Sequence, residues 1–225
     1  MQSKLINGFQ HIKYEGLDFA PTETEKKARS FLELMDKRRS IRTISSRPVP
    51  KSIIENIIKT ASTAPSGAHK QPWTFCAVSS ADIKSKIREA AEKEEFESYQ
   101  NRMSDRWLKD LEPIGTDWHK PFLESSPWLI IVFKKVYDEI DGSKANNYYV
   151  NESVGIACGM LITAIHQAGL VTLTHTPSPM NFLSEILNRP VNERPYLLLP
   201  VGYAAEDTYV PDLKRKSLNE ISEFY

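Results

Sequence analysis

Residues 128–133 read WLIIVF, an unbroken apolar run with the length of a β-strand. A transmembrane helix needs about 20 apolar residues, so this run is far too short to cross a bilayer. A second apolar run, residues 73–78, follows a loop of turn-forming residues and predicts another buried strand. Other segments show helical spacing of apolar side chains, as at Ile53, Ile57 and Ala61. This alternation of helices and strands indicates an α/β or α+β fold in one domain.

The remaining elements follow from the same kinds of pattern. Residues 1–23 are mixed in character, and we expect them to form an irregular N-terminal arm. Gly169 is well placed to end a long helix rich in small residues. We predict helices near residues 24–37, 53–61, 82–91, 147–168 and 180–188, and strands near 73–78, 128–134, 170–174 and 196–203.

Composition excludes several classes of protein. The 225 residues carry 29 Lys and Arg against 29 Asp and Glu, so no net charge favours nucleic acid or an anionic membrane surface. The first residues contain no apolar stretch of signal-peptide length. Cys76 and Cys158 lack CxxC spacing and the histidines lack HExxH spacing, so neither a disulfide framework nor a metal site is predicted. We expect a cytoplasmic protein with reduced thiols.

A cluster of basic residues is the first candidate for chemistry. Arg38, Arg39 and Arg42 surround Ser40. A guanidinium group can donate two parallel hydrogen bonds to two oxygens of a phosphate, and a serine hydroxyl adds a neutral donor. Cations are also favoured at a solvated helix C-terminus. Composition alone therefore leaves a phosphate site and an ordinary helix end both open.

Two loops are equally open to more than one interpretation. In residues 64–69 (APSGAH), Gly67 permits close backbone approach and Ser66 offers a hydroxyl, which suits either a planar cofactor or a simple turn. Residues 172–177 (TLTHTP) combine strand-forming residues with a proline turn, and their hydroxyls could also donate to a bound ring. The chain has no Walker loop and no GxGxxG motif after a strand.

Taken together, these motifs resemble a known family. The chain carries, in order, RRSIR, APSGAHKQPW, EEFESYQNRM, GTDWHKPFLE, NESVGIACGMLITAIHQAGLVTLTHTP and VPDLKRK. From about residue 17 onward it resembles the iodotyrosine deiodinases, a branch of the nitroreductase-like flavoproteins. The resemblance implies an α+β, nitroreductase-like fold with a central, mostly antiparallel sheet flanked by helices. It also implies an intertwined homodimer in which residues 1–225 form a single FMN-binding domain. Vertebrate members of the family carry an N-terminal membrane anchor, and we expect this chain to be a soluble form without one.

The resemblance assigns a cofactor site. The RRS-R segment and a basic residue near the C-terminus would bind the FMN phosphate and ribityl region, and the APSG loop would lie beside the flavin. Thr176 is the expected hydroxyl donor to flavin N5. The residues assigned to FMN in this way are Arg38, Arg39, Ser40, Arg42, Pro65, Ser66, Thr174, His175, Thr176 and Arg215.

The resemblance also assigns a substrate site. Glu95, Tyr99 and Lys120 would grip the ammonium and carboxylate groups of a halotyrosine zwitterion, and the Ala68 amide would hold the phenolate oxygen. Glu95 and Tyr99 have i,i+4 spacing, which places them on one face of a helix. Residues of about 92–122 would form a lid over the flavin, because the EEFESYQNR stretch has few apolar side chains to hold it down.

The implied function is reductive dehalogenation of halotyrosines, catalysed through Thr176 and Ala68, by a cytoplasmic homodimer. Electrons would come from NAD(P)H (NADP-type donors) or an unidentified reductase. A general NAD(P)H:FMN nitroreductase or quinone reductase would need the RRS-R segment but not the Glu-Tyr-Lys set. A non-enzymatic flavin- or amino-acid-binding protein is the third alternative.

Overall fold

A computed structural model describes residues 2–225, which divide into two units, one ending at Arg38 and the other spanning Arg39–Tyr225. In the first unit, strands β1 (Ser3–Ile6) and β2 (Phe9–Ile12) pair antiparallel as a hairpin. Helix α1 (Pro21–Asp36) follows, with a proline in its first turn.

The irregular arm predicted for residues 1–23 is wrong over the hairpin. Asn7 and Gly8 form its turn with φ values of 51° and 82°. An Asn-Gly pair accepts positive φ at both central positions of a tight hairpin turn, and that conformation matches the twist of the paired strands. The Asn7-Gly8 dipeptide is therefore a local sequence pattern that predicts this hairpin.

The second unit contains the rest of the secondary structure. Its strands are β3 (Trp73–Val78), β4 (Trp128–Lys135), β5 (Tyr137–Ile140), β6 (Ser143–Asn146), β7 (Val171–Thr172) and β8 (Glu193–Gly202). Its α-helices are α2 (Lys51–Ser62), α3 (Ala81–Glu97), α4 (Asp105–Leu111), α5 (Phe122–Ser125), α6 (Val150–Gln167), α7 (Asn181–Ile186) and α8 (Leu218–Ile221). Within residues 2–225, no helix is both long enough and apolar enough to cross a membrane.

A four-stranded sheet in the order β3-β4-β8-β7 organises this unit, and every neighbouring pair is antiparallel. Strand β4 explains the apolar run that dominates the sequence. Ile130 and Val132 belong to one core cluster, whereas Leu129, Ile131 and Phe133 belong to another. Successive side chains of a strand point to opposite faces, so β4 is apolar throughout because both faces of the sheet are covered.

The two clusters use different helices. Ile54 and Ile57 of α2 and Leu161 of α6 pack in the first cluster. Ile87 of α3 and Leu183 of α7 pack in the second. The predicted α+β fold, with a mostly antiparallel sheet flanked by helices, is confirmed.

The structure also shows elements that the sequence reading omitted. Strands β5 and β6 form a second hairpin, and Asp141 and Gly142 supply the positive φ values of its turn. Gly169 has a φ of 73° just after α6, as expected for a residue that ends a helix. The helix predicted near residue 82 begins one residue earlier, because the Ser80 hydroxyl caps α3 by accepting from the Ile83 amide.

Candidate active site

The polar residues predicted from the EEFESYQNR stretch line one cavity in the second unit, with a volume of about 510 Å³. Its wall is formed by the end of α3, the segment up to α5, and the residues after β7. The charged and polar side chains that line it include Arg42, Glu95, Tyr99, Lys120 and His175. Apolar side chains, among them Met103, Trp107, Leu111, Phe122 and Met180, complete the lining.

Glu95 and Lys120 form an ion pair deep in this cavity. The distance from Lys120 Nζ to Glu95 Oε2 is 3.5 Å, and their side chains are only 4% and 12% exposed for Lys120 and Glu95 respectively. Burial raises the pKa of Glu95, and the nearby Lys120 charge opposes that rise. Burial lowers the pKa of Lys120, and Glu95 opposes that fall. Each group therefore depends on the other to stay charged away from water.

Lys120 is fixed from several sides. Its ammonium group donates to the Asp117 carbonyl and lies 3.4 Å from the Thr116 hydroxyl. Its backbone amide donates to the Glu92 carboxylate at 2.7 Å. Since Glu92 and Glu95 both belong to α3, the end of this helix holds the segment that delivers Lys120.

Tyr99 lies beside this pair in a π-helical turn, Ser98–Arg102, rather than in α3 itself. The turn is closed by the Met103 amide, which donates to the Ser98 carbonyl at 2.8 Å. The simple i,i+4 helix face that the sequence predicted is therefore modified, because α3 ends at Glu97. Glu95 and Tyr99 nevertheless line the same cavity. Single π turns within helices are frequent at functional sites.

The Tyr99 hydroxyl donates to the Thr116 carbonyl at 3.2 Å. Burial raises the pKa of this phenol, and the Glu95 charge raises it further. Tyr99 therefore stays a neutral hydroxyl that can donate to an anionic group in the cavity.

The side chains after β7 alternate between exposed and buried positions. Thr174 and Thr176 are exposed and line the cavity, whereas His175 between them is buried. The backbone of His175 exchanges two hydrogen bonds with Leu198 of β8, at 2.9 and 3.0 Å. The sheet thus fixes the position from which both threonine hydroxyls face the cavity. Neither hydroxyl forms a hydrogen bond within residues 2–225.

His175 packs against the ring of Phe122 in an edge-to-face contact with ring centroids 5.7 Å apart. Its Nδ1 lies 3.9 Å from Glu95 Oε1. Burial lowers the pKa of His175 to about 3, and the charges of Lys120 and Arg42 contribute to the shift. The imidazole is therefore neutral at physiological pH.

The RRS-R segment runs beside β7 into the cavity. Ser40 forms a parallel bridge with Thr172, and the Ile41 amide donates to the Thr172 carbonyl at 3.1 Å. This contact brings Arg42 to the cavity. Arg42 is half-buried, and burial lowers the pKa of its guanidinium. Within residues 2–225, no carboxylate forms a salt bridge with it.

The other predicted phosphate residues lie outside the cavity lining. The Arg39 guanidinium donates to the Pro211 carbonyl, which holds the C-terminal segment near the RRS-R segment. Arg215 follows four residues later in the chain and is exposed. Ser40 is exposed as well, and Arg38 is the last residue of the first unit.

The APSGAH loop does not line this cavity. Gly67 begins a short 3-10 turn, and a Cβ at this position would lie 2.8 Å from the Tyr148 carbonyl oxygen, so the close approach requires glycine. The Ser66 hydroxyl accepts from the Gln71 amide at 2.9 Å. Ala68 is exposed with a φ of 48°, and its amide donates no hydrogen bond within residues 2–225. One copy of the chain therefore keeps Pro65, Ser66 and Ala68 apart from the Glu95 cavity.

The comparisons with known proteins agree with this geometry. Residues 35–203 match the profile of the nitroreductase family. The iodotyrosine deiodinase of Haliscomenobacter hydrossis is 63% identical over 215 residues, which cover 95% of this chain and 97% of the relative. The chain belongs to the iodotyrosine deiodinases of the nitroreductase family. The iodotyrosine deiodinase of Nematostella vectensis is 49% identical, with 94% of this chain and 81% of the relative covered.

Solved structures place the chain in the same family of folds. A crystal structure of oxidised iodotyrosine deiodinase bound to FMN and 3-iodo-L-tyrosine matches with a TM-score of 0.73 at 28% identity, covering 86% of this chain and 100% of that one. A nitroreductase with bound FMN from Bacteroides fragilis matches with a TM-score of 0.64 at 19% identity, which shows the shared fold alone. The resemblance to the deiodinase family is thereby confirmed.

Several lining residues of this deiodinase-family cavity were not predicted from sequence. Arg102 donates to Glu94 at 2.8 Å and to the Ser178 carbonyl at 3.2 Å, so it links the π turn to the segment after β7. Trp107 lies on α4 and is half-exposed. No local pattern marked these residues, because their role depends on contacts between distant segments. Within residues 2–225, no cluster of three or more His, Cys, Asp or Glu side chains could hold a metal ion.

Proposed function

We propose that the chain is an FMN-dependent reductive dehalogenase that converts halotyrosines to tyrosine and free halide. The observation that carries the proposal is the Glu95–Lys120 pair, which is almost fully buried yet lines an open cavity. An amino-acid zwitterion offers an ammonium group to Glu95 and a carboxylate to Lys120. Both buried charges therefore keep a partner when such a ligand separates them. Tyr99 adds a neutral hydroxyl for the same carboxylate.

The residues present also fit FMN. Arg42 brings a guanidinium without a carboxylate partner to the cavity, and Thr174 and Thr176 bring hydroxyls that form no hydrogen bond within residues 2–225. Arg38, Arg39, Ser40 and Arg215 would bind the phosphate, since a phosphate monoester with nearly two negative charges needs several strong donors. When bound, FMN supplies the electrons for the reaction.

The reaction replaces a carbon–halogen bond by a carbon–hydrogen bond and releases halide, which consumes an electron pair and a proton. The Ala68 amide of a second copy of the chain would stabilise the phenolate oxygen of the substrate, and the Thr176 hydroxyl would donate to the flavin. Residues of about 92–122 act as the lid, because Glu95, Tyr99 and Lys120 all lie in or beside this segment. Closure over the ligand excludes water from the reacting groups.

A homodimer with shared active sites would complete this arrangement. Pro65, Ser66 and Ala68 do not line the cavity of their own chain, and in a homodimer a second copy would supply them. Helix α6 offers a surface for that contact, since Ile156 is 47% exposed and a Cβ at Gly159 would meet no atom within 4 Å. A molar mass of twice 25.7 kDa in solution is expected, and a monomer that retains full activity would contradict it.

The electron donor is NAD(P)H or a partner reductase, and the location is cytoplasmic. The location is supported by the two free cysteines, Cys76 and Cys158, the second of which is buried. Thiols of this kind are typical of a reducing compartment.

Anaerobic incubation of the dithionite-reduced holoenzyme with iodo-, bromo- and chlorotyrosine tests the proposed function. We expect tyrosine and free halide from at least iodotyrosine. Nitroaromatic reduction without any release of halide would instead identify a general nitroreductase.

A further inference from the structure

His175 is the one residue of the Thr174–Thr176 segment that turns away from solvent. Its side chain is 7% exposed and lies against Glu95, whose side chain is 12% exposed. His175 Nε2 is buried and has no hydrogen-bond partner within residues 2–225. A buried imidazole with one orphaned nitrogen is costly, so a compensating interaction at the other nitrogen is expected.

The other nitrogen, Nδ1, faces the carboxylate of Glu95. Their separation of 3.9 Å is longer than a hydrogen bond, and a movement of about 1 Å would close it. Polar contacts of this kind are often long without substrate and shorten in the complex. Because an acceptor nitrogen would repel the carboxylate, the neutral ring carries its proton on Nδ1 and leaves Nε2 as the orphan.

We propose that His175 is a positioning residue that donates its Nδ1–H to Glu95 Oε1 and keeps this carboxylate charged and aimed at the ammonium group of the substrate. The need for a second donor arises on binding. Glu95 Oε2 is paired with Lys120, but a zwitterion draws Lys120 toward its own carboxylate. His175 then remains as the protein donor to Glu95. This inference rests on the proposed function for the identity of the ligand.

The surrounding charges permit this role. Lys120 and Arg42 are the cations that face His175, and burial together with these two charges keeps the ring neutral at physiological pH. Tyr99, Asp117 and Glu92 are the other titratable groups close to Glu95 and Lys120, and the Arg102–Glu94 pair lies at the rim of the same cavity. A neutral donor satisfies Glu95 without competing with the substrate ammonium for its charge.

The position also links the two halves of the site. His175 is fixed to β8 by two backbone hydrogen bonds, and the threonines on either side of it face the cavity. A hydrogen bond from His175 to Glu95 would therefore tie the end of α3 to the segment that presents Thr174 and Thr176. Binding of the substrate ammonium group to Glu95 would then stabilise the closed lid through this hydrogen bond.

Three variants of the FMN-loaded full chain test the proposal. In His175→Asn the amide nitrogen takes the place of Nδ1, in His175→Gln it takes the place of Nε2, and His175→Leu has no donor. Hydrogen bonds to charged groups predict that the Leu and Gln variants bind iodotyrosine about 10- to 100-fold more weakly, and that the Asn variant recovers most of this loss. Affinity for 2-iodophenol, which has no ammonium group, should be the same in all three variants as in wild type.

Titration of the Glu95 carboxylate by ¹³C NMR, in protein labelled at glutamate, gives a readout that does not depend on turnover. With iodotyrosine at saturation, the pKa of Glu95 should be higher in His175→Leu than in wild type and should return toward the wild-type value in His175→Asn. An unchanged Glu95 pKa in His175→Leu overturns the proposal, as does equal weakening in the Asn and Leu variants. If wild type fails to bind iodotyrosine, the proposed function fails; if wild type and His175→Leu bind it equally well, the role of His175 alone is overturned.

Discussion

The Glu95 carboxylate lies 3.5 Å from the Lys120 ammonium group, and both side chains are almost fully withdrawn from solvent. A buried ion pair is stable only while each charge keeps a partner. A ligand that enters between the two must therefore offer an opposite charge to each. A halotyrosine zwitterion does so, whereas a neutral nitroaromatic or a simple halophenol does not.

Replacement of Glu95 by glutamine should weaken iodotyrosine binding about 10- to 100-fold, because the ammonium group loses a charged acceptor. Equilibrium titration of the holoenzyme measures the effect. Glu97→Gln is the matched control, since Glu97 lies two residues away, bonds to Asn101 and does not line the cavity. Equal affinity for iodotyrosine in wild type and Glu95→Gln would contradict the role given to Glu95.

Replacement of Lys120 by methionine should make stability depend on pH. Burial already raises the pKa of Glu95 above its unfolded value of about 4.3, and loss of Lys120 removes the charge that opposes the rise. A carboxyl group with a raised pKa costs nothing below pH of about 4, where both states are protonated. The cost grows as the pH rises and is complete above the raised pKa.

Denaturant unfolding at several pH values measures this cost. Lys120→Met should lose about 3 kcal/mol at neutral pH and clearly less in acid, relative to wild type. The double variant Glu95→Gln/Lys120→Met has no buried carboxylate to ionise, so its difference from wild type should vary much less with pH. A single variant whose loss of stability is the same at pH 4 and pH 8 would refute the coupling.

Replacement of Arg42 by methionine should weaken FMN binding about 10- to 100-fold, because a guanidinium without a carboxylate partner is lost from the cavity. Quenching of flavin fluorescence on binding reports the affinity. Arg47→Met is the control, since Arg47 is exposed and stacks over the Tyr203 ring at 4.0 Å. Equal loss of FMN in the two variants would point to a general effect of charge.

Hydrogen exchange should show that residues 92–104 are protected by ligand. The apolar side chains Phe96 and Met103 in this range are not buried, so few apolar contacts hold the segment in place. Added iodotyrosine should slow exchange there. Arg102→Met removes the link to Glu94 and Ser178, and should speed exchange in the free protein. Exchange that is equally slow with and without iodotyrosine would rule out a lid over this range.

Much of the fold could be predicted because its signals are local. The apolar run of β4 and the helical spacing of Ile54, Ile57 and Ala61 each identify an element without reference to the rest of the chain. The two missed hairpins also had local signals, in Asn7-Gly8 and Asp141-Gly142. Those errors came from overlooking turn chemistry, not from any long-range effect.

The candidate site is different, because its geometry depends on contacts between distant segments. The motifs identified Glu95, Tyr99 and Lys120, but spacing gave a plain helix where the structure has a π turn. The contact between His175 and Glu95 joins residues 80 positions apart, and no periodicity in the sequence marks it. The sequence likewise could not predict that the loop carrying the unpartnered Ala68 amide lies outside the Glu95 cavity of its own chain.

Halide release by the reduced holoenzyme, with iodotyrosine and 2-iodophenol compared side by side under anaerobic conditions, tests the central claim most directly. The account predicts stoichiometric iodide and tyrosine from iodotyrosine and far slower release from 2-iodophenol, which cannot engage Glu95 and Lys120. No iodide from iodotyrosine, or equal rates from the two compounds, would contradict it.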